Sequence, residues 1–281
     1  MSPETQSEVA HPYKLPERPW YERLNVLNMT LLIFLLGVVF SATQIEGSER
    51  NLDVLGNLAR FFSEFFPPDL SVVPQTIGAL VETVEIAILA TFLAIIISLI
   101  VGLGAAQTIA PAWVVGAMRM LLNVIRTIPS LIWAVIAVAA MGANPLAGVA
   151  ALTLYSIGYL GKFFSEAFES VDMKIARGLR GIGADPLQAF QYGIWPHAKP
   201  LIWSHGIWML EYNIRSASII GYVGAGGLGL QLHAYQEFHQ WDRFATVLIF
   251  ILGAVTLLDL LSERIRRRIL RRGRPNQSLS D

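Results

Sequence analysis

The chain is organised around one polar stretch, which reads KIARGLRGIGADPLQAFQYGIWP from Lys174 to Pro196. It separates two strongly apolar blocks, so in a membrane protein it must form a loop outside the lipid. Gly183 tolerates a positive φ and predicts a break between two short helices. After it, Asp185, Pro186 and Gln188 stand in the order of an N-cap, a first helical residue and the third residue of a capping box. The stretch therefore predicts a compact helix–turn–helix that ends at its final proline, with an ordinary connecting loop as the alternative.

The composition is that of a protein that crosses the membrane several times. Of the 281 residues, 54% are hydrophobic and 15% are charged, whereas a soluble domain carries about a quarter charged residues. The absence of cysteine excludes disulfides and thiolate metal or redox sites. Residues 1–23 are polar and lack an apolar centre, so we expect a cytoplasmic N-terminal arm there, not a signal peptide.

Apolar runs long enough to cross a bilayer recur along the chain, and we expect an all-α membrane protein with about six spans. A bilayer core of about 30 Å needs about 20 helical residues. In chain order, the expected segments are a first transmembrane helix at 24–45, an external loop with an amphipathic segment at 46–79, a transmembrane core at 80–261 that includes a cytoplasmic loop at 165–198, and a basic cytoplasmic tail at 262–281.

Two of the expected spans are irregular. The third is predicted to begin before Arg119 and to continue past a structural kink at Pro129. The fifth apolar block, from 201 to about 232, is interrupted by Glu211, Arg215 and a cluster of glycines.

The charge distribution predicts which side of the membrane the termini occupy. Six spans place both termini on the same side. Residues 263–281 contain seven arginines and two acids, net +5, whereas residues 46–69 contain five acids and two arginines, net −3. Because basic residues accumulate on the cytoplasmic side, we expect both termini and the loop at 165–198 to lie in the cytoplasm.

The polar stretch resembles the cytoplasmic EAA loop of ABC importer permeases. That pattern is E-A-A, three residues, Gly, nine residues and then I-x-L-P, and Gly183 and Pro196 match it with the spacing intact. The tripeptide R-G-L at 177–179 stands where E-A-A is expected, and Gly193 and Trp195 replace Ile and Leu.

Three further segments resemble the phosphonate-type subfamily of these permeases. They are RTIPSLIWA at 126–134, EAFESVD at 166–172 and NIRSASIIGYVGAGGLG at 213–229. The resemblance covers roughly residues 80–261. It implies a type I importer permease of the bacterial inner membrane that carries phosphonate, phosphite or hypophosphite.

The resemblance also implies partners. These are a second permease subunit, identical or related, an ABC ATPase dimer, an extracytoplasmic substrate-binding protein and membrane lipid, with no nucleic acid. The chain has no Walker A motif, so we expect it to be non-catalytic and to bind no cofactor, with ATP and Mg²⁺ on the ATPase subunits. The residues implied in ATPase coupling are Arg177, Gly178, Leu179, Gly183, Ala184, Asp185 and Pro186. A salt bridge from the arginine would need an acidic partner on the ATPase.

Arg215 is the strongest single candidate for a residue on the translocation path. A charge at the bilayer centre costs about 2.5–3.5 kcal/mol, so this side chain should face protein or water. Glu211 lies four positions earlier on the same helical face. Two interpretations stay open: a structural Glu211–Arg215 pair, or a cation on the path of an anionic substrate.

The glycine-rich segment YVGAGGLG at 222–229 is the second path candidate. It formally contains G-x-G-x-x-G, but dinucleotide binding needs a strand and a βαβ unit, which an apolar membrane block does not supply. Non-helical backbone at membrane depth is tolerated where it lines a cavity or is buried in protein. We therefore expect a gate or pore-lining loop, with a close-packing kink as the alternative. The candidate path or gate residues are Arg215, Ser216, Ser218, Tyr222, Gly224, Gly226 and Gly227.

Two other classes compete with the importer permease. A secondary transporter or channel for small anions would show discontinuous helices in two related halves, and the glycine-rich break occurs once. A membrane enzyme would need clustered His, Asp or Glu, whereas Glu166, Glu169 and Asp172 form a spaced acidic face. No residue set has the spacing of a metal site.

Overall fold

The structure is a computed structural model that describes residues 26–45 and 53–272, and every regular element in these ranges is helical. The predicted all-α class is therefore confirmed. The helices are α1 (Val26–Gln44), α2 (Val54–Ser63), α3 (Val73–Ala105), α4 (Ala112–Thr127), α5 (Ser130–Met141), α6 (Pro145–Glu169), α7 (Met173–Gly181), α8 (Pro186–Ala189), α9 (Trp195–Ile220), α10 (Gly227–Glu237) and α11 (Trp241–Arg272).

The chain divides into two units, residues 1–57 and 58–281. In the first unit, α1 is a helix of 19 residues without a charged side chain. Every residue of α1 whose side chain is described is exposed, which is the character of a helix that is apolar all round.

Four described helices are long and apolar enough to cross a membrane, over Leu27–Gln44, Leu70–Ala105, Pro145–Glu169 and Trp241–Ile269. The α4–α5 pair makes a fifth if its two bent arms count as one span. α9 falls in the predicted fifth block and has 26 residues. It does not reach the same apolarity, because its sequence includes charged, histidine and proline residues.

Close contact of small residues holds the second unit together. α3 packs along α6, and its Ala87, Ala90 and Ala94 are fully buried. A Cβ added at Gly102 of α3 would lie 2.9 Å from Cβ of Phe164 on α6. Small residues at such positions let helix backbones approach closely, which is the main packing device inside a membrane.

The predicted third span is two helices that meet at 87°, a break much sharper than the predicted kink. Proline disfavours helical backbone at the preceding residue, and Ile128 is extended, with φ −94° and ψ 118°. Pro129 then serves as the N-cap of α5. The indole Nε1 of Trp133 donates to the carbonyl of Ile125 at 3.4 Å and so ties the two arms together.

Several helix bounds differ from the sequence-based segments. The polar unit ends at Ile194, two residues before the predicted end at Pro196, because this proline lies in the first turn of α9, where a helix needs no N–H donor. α6 continues to Glu169, so the segment between α6 and α9 is 170–194, shorter than the predicted loop at 165–198. α3 begins at Val73, and α11 continues to Arg272 within the predicted tail.

An aromatic cluster joins the end of α2 and the residues that follow it to the start of α11. Phe61 lies edge-on to Trp241, with 4.9 Å between ring centroids, and Phe65 stacks on the same indole at 5.8 Å. Asp69 accepts a hydrogen bond from Nε of Arg243 at 3.0 Å. These contacts pack the segment against the start of α11.

Candidate functional site

The docking loop, which we define as residues 170–194, contains the predicted helix–turn–helix. Gly183 has φ +98°, a left-handed conformation that disfavours residues with a Cβ. The N–H of Gln188 donates to Oδ1 of Asp185 at 2.8 Å, and the N–H of Asp185 donates to Oε1 of Gln188 at 3.1 Å. Pro186 occupies the first turn. The predicted break and the predicted capping box are therefore both present.

The docking loop has a small packed underside. A π-helical turn at Phe190–Ile194 connects α8 to α9 without an intervening coil. Within this turn Gly193 is buried, and a Cβ added there would lie 3.2 Å from Cα of Ala176 on α7. α7 therefore lies directly against the π turn, which gives the loop one fixed shape.

The outer face of the docking loop is apolar as well as polar. The exposed fractions of Ile182, Leu187 and Tyr192 are 84%, 72% and 65%. Of the predicted coupling residues, Leu179 and Ala184 are half-buried, and the remaining ones, Arg177, Gly178, Gly183, Asp185 and Pro186, are exposed. The sequence interpretation missed the three apolar side chains. Large apolar residues inside an otherwise polar loop were the available signal.

Arg215 lies on α9 between two carboxylates. Its Nη2 lies 3.5 Å from Oε1 of Glu211 and 3.3 Å from Oδ1 of Asp259 on α11. The predicted intrahelical pair is therefore present, and α11 adds a second acid that spacing alone could not assign to Arg215. The position of Arg215 on a translocation path stays a prediction.

The glycine-rich segment between α9 and α10 is closely packed. Gly224, Gly226 and Gly227 have φ of +95°, +85° and +69°. A Cβ added at Gly226 would lie 2.8 Å from Oε1 of Glu82 on α3, and one at Gly227 would overlap Oγ1 of Thr83. The segment is thus pressed against α3, and its role as a gate stays a prediction.

The other predicted path residues lie on the same two elements. Ser216 and Ser218 of α9 are buried, with exposed fractions of 5% and 8%. Tyr222 is half-buried, and its ring lies 4.8 Å from the ring of His233 on α10.

Asn213, which lies between Glu211 and Arg215 on α9, carries a buried amide that the sequence interpretation did not single out. The Nδ2 of Asn213 donates to Oγ1 of Thr91 on α3 and to Oγ of Ser156 on α6, both at 2.9 Å. Asn213 is fully buried, and its bonds join three helices across their centre. Such networks position helices in a membrane, since an unpaired amide would be costly there.

A row of aromatic side chains continues along α6 and α9 from this amide. Tyr155, Tyr159 and Phe163 follow one face of α6 at intervals of four residues. The hydroxyl of Tyr212 on α9 donates to that of Tyr155 at 2.8 Å. The guanidinium of Arg126, at the end of α4, lies over the Tyr159 ring, 5.2 Å from its centroid. The regular spacing on α6 could have revealed the row, but not the arginine.

A cavity of about 350 Å³ lies between α4 and the end of α6. Arg119 pairs there with Glu169 at 2.7 Å, and Lys162 pairs with Glu166 at 3.7 Å. Oε1 of Glu169 also accepts from the N–H of Gln107 at 2.6 Å. The charges in the cavity balance, so it has the character of a structural clamp. Within residues 26–45 and 53–272, no group of three or more His, Asp or Glu is placed to hold a metal ion.

Three comparisons with known proteins agree on the class. The family described as "Binding-protein-dependent transport system inner membrane component" matches residues 94–271. Two relatives come from Stutzerimonas stutzeri. The "Phosphite transport system permease protein PtxC" is 35% identical over 88% of this chain and 90% of its own length. The "Putative phosphite transport system permease protein HtxC" is 32% identical over 85% of each chain.

A solved structure has the same fold. The MetNI methionine ABC transporter, in an inward-facing conformation, superposes with a TM-score of 0.64 over 72% of this chain and 99% of the other, at 21% identity. At that identity the likeness concerns the fold alone.

Proposed function

The chain belongs to the family of binding-protein-dependent transport system inner-membrane components, and we propose that it is the permease of an importer for phosphite or a closely related phosphorus oxyanion. The importer class follows from the family, which assembles with an ATPase and a substrate-binding protein. The substrate belongs to the proposal. It is supported by two relatives named for phosphite, each at least 32% identical over at least 85% of this chain.

The observation that carries the proposed mechanism is the shape of the docking loop. Ile182 and Leu187 are exposed on the segment between α6 and α9, outside the helices long enough to cross a membrane. An exposed apolar pair on a rigid, capped turn is typical of a protein–protein contact. We therefore assign the ATPase contact to these two side chains together with the predicted coupling residues.

The proposal places the docking loop and both termini in the cytoplasm of a bacterium and the chain in its inner membrane. The net +5 of residues 263–281 against the net −3 of residues 46–69 supports this orientation. A second permease subunit would complete the path, and the binding protein would deliver the oxyanion from the opposite side. Closure of the ATPases would move the docking loops and alternate the access of the path.

Uptake in proteoliposomes tests this function. The permease is reconstituted with its ATPase and its binding protein, and ATP-dependent uptake of phosphite, methylphosphonate, hypophosphite and phosphate is measured. We expect one or more of these anions to accumulate only with ATP and the binding protein present. Accumulation without ATP would instead support a secondary transporter or channel, and uptake of none of the four would refute the proposed substrate.

The docking surface has its own variant in the same assay. Leu187→Asn should lower substrate-stimulated ATPase activity about tenfold or more, because a buried apolar anchor at the centre of a contact contributes about 1.5–3 kcal/mol. Lys199→Asn, exposed on α9 outside the loop, is the matched control and should leave the activity unchanged. Equal activities in the two variants would refute the assigned contact.

A further inference from the structure

We propose that Arg126, with the hydroxyl groups of Tyr155, Tyr159 and Tyr212, forms an anion-selecting subsite on the translocation path. The inference rests on the proposed function for the identity of the anion, but the site itself is argued from geometry. Its ligand class is a small oxyanion, which the guanidinium would bind through charge-assisted N–H donors and the hydroxyl groups of Tyr155 and Tyr159 through O–H donors. The O–H of Tyr212 donates to the Tyr155 hydroxyl and so orients it.

Arg126 differs from the other cations of this region because it lacks an acidic partner. Arg119, Lys162 and Arg215 each have a carboxylate within 3.7 Å. Among the residues that the structure describes, no carboxylate lies within ion-pair distance of Arg126, and its Nε is buried without a hydrogen-bond partner. A buried N–H donor on a charged group is costly to leave unpaired. The side chain is therefore poised to accept an anionic ligand.

The neighbouring helix, α6, has a glycine where the Arg126 side chain crosses it. A Cβ added at Gly158 of α6 would lie 2.9 Å from Cγ of Arg126 and 3.0 Å from Cγ2 of Ile125. The glycine thus leaves the space through which the arginine stem crosses α6 and reaches the face that carries Tyr159. The cation–π contact at 5.2 Å then fixes the guanidinium above that ring.

The aromatic row of Tyr155, Tyr159 and Phe163 runs along the axis of α6. From Tyr155 to Phe163 it extends eight residues, about 12 Å along the α6 axis. An aromatic belt at a membrane interface would lie at one depth, whereas this row crosses a range of depths and pairs with His205, Trp208 and Tyr212 of α9. Tyr159, Phe163 and Tyr212 are half-buried. A half-open row with hydroxyl groups and one free cation has the character of a wetted path.

Leu154 marks the contrasting face of the same helix. It lies nine residues before Phe163, which places it half a turn away around α6, and 38% of its surface is exposed. The two positions therefore give a matched pair of reporters, one beside the arginine and one on the opposite, apolar face.

The test uses charged thiol reagents on the assembled complex, and it needs no background mutations because the chain has no cysteine. Phe163→Cys and Leu154→Cys are each treated with an anionic and a cationic methanethiosulfonate of similar size, in nanodiscs with the ATPase subunits bound. We expect Phe163→Cys to react with both reagents, the anionic one gaining from Arg126, and Leu154→Cys to react with neither. An unreactive Phe163→Cys, or equal reactivity at both positions, overturns the proposal.

Arg126→Gln in the Phe163→Cys background measures the field of the arginine directly. Arg126 Cζ lies 5.2 Å from the Tyr159 centroid, which lies 6.4 Å from that of Phe163, so the charge and the reporter are at most about 12 Å apart. Removal of a unit charge at that distance in water changes the ratio of anionic to cationic rates by about threefold. Arg126→Lys should keep the ratio, and Arg264→Gln, on the exposed end of α11, should not change it. A ratio that Arg126→Gln leaves unaltered overturns the proposal.

Transport completes the test. We expect Arg126→Gln to lower oxyanion uptake about tenfold, the effect of losing one charge-assisted contact, while ATPase stimulation by the loaded binding protein is retained. A merely structural role would lower both activities together, and that result, or unchanged uptake, overturns the subsite. If the wild-type complex transports none of the phosphorus oxyanions but the reagent ratio behaves as expected, the proposed function fails while the anion subsite stands.

Discussion

Replacement of Gly183 by alanine should weaken the ATPase contact without disturbing the membrane helices. Nothing lies within 4 Å of a Cβ added at this position, so steric overlap is excluded and backbone strain remains as the cause. The φ of +98° is a left-handed conformation that costs a residue with a Cβ about 1–2 kcal/mol. The strain acts on the docking loop alone, because the residue is exposed and packs against no other element.

The strain translates into a binding effect through the shape of the free loop. Alternative turns that relieve 1–2 kcal/mol reduce the binding-competent fraction by up to about 5- to 30-fold, and the apparent Kd rises by the same factor. The assay is titration of the purified ATPase onto the permease in nanodiscs, followed by fluorescence anisotropy. The Tm of Gly183→Ala should stay within a few degrees of that of the wild type.

Gly181→Ala is the matched control for this prediction, because Gly181 is not among the predicted coupling residues. It is also an exposed glycine of the docking loop with nothing within 4 Å of an added Cβ, but it is the last residue of α7 and has no positive φ. Alanine adopts a helical backbone without strain, so the Kd should stay the same. An unchanged Kd in Gly183→Ala, or an equal rise in both variants, would refute the reasoning.

Three further predictions concern the stability of the second unit. Glu169→Gln removes the negative charge of the acceptor shared by an arginine and a backbone N–H and should lower the free energy of unfolding by about 1 kcal/mol in a detergent melt, a value reduced for partial exposure; an unchanged Tm would contradict the clamp. The pKa of Asp69 is lowered, first by hydrogen bonds from Ser71 and then by its arginine partner, so its contribution is present above the unfolded pKa near 4 and is lost as pH falls through the lower folded pKa. The Tm difference between wild type and Asp69→Asn should accordingly shrink below about pH 4, and a constant difference would show that the carboxylate charge is not involved. Gly229→Ala would bring its Cβ into overlap with backbone atoms and should destabilise the fold by about 1–3 kcal/mol, whereas Gly253→Ala, inside α11 with open space around it, should leave the stability unchanged or raise it by up to about 1 kcal/mol in the same melt.

The sequence predicted best those features that depend on neighbouring residues and on composition. The break at Gly183 and the capping box at Asp185 depend on neighbours within three residues, so their residue types suffice to predict them. Long apolar runs predicted the all-α class, because their length and composition suffice to indicate membrane-spanning helices. The sequence could also place Glu211 beside Arg215, since both lie on one helix.

Contacts between distant helices were beyond the same reasoning. Asp259 lies 44 residues after Arg215, and no spacing rule connects them. The sharp turn at Pro129 exceeds what a proline alone imposes and depends on tertiary packing around α4 and α5. The end of the polar unit was predicted two residues late, at Pro196, because proline both ends and begins helices and the π turn that precedes it has no sequence signature of comparable strength.

The unbroken helical path from Pro186 through the π turn to Ile220 makes the docking loop one end of a lever. Its 35 residues span roughly 50 Å at 1.5 Å each, and Asn213 and Arg215 lie near the far end. A π turn amounts to one residue inserted into an α-helix, so it fixes the rotational phase between the two ends at a value about 100° from that of a regular helix. Deletion of one residue between 190 and 194 would therefore keep the path helical but rotate the docking-loop end by about 100° around the helix axis. The ATPase would then push along a direction for which the polar contacts at the other end are not aligned.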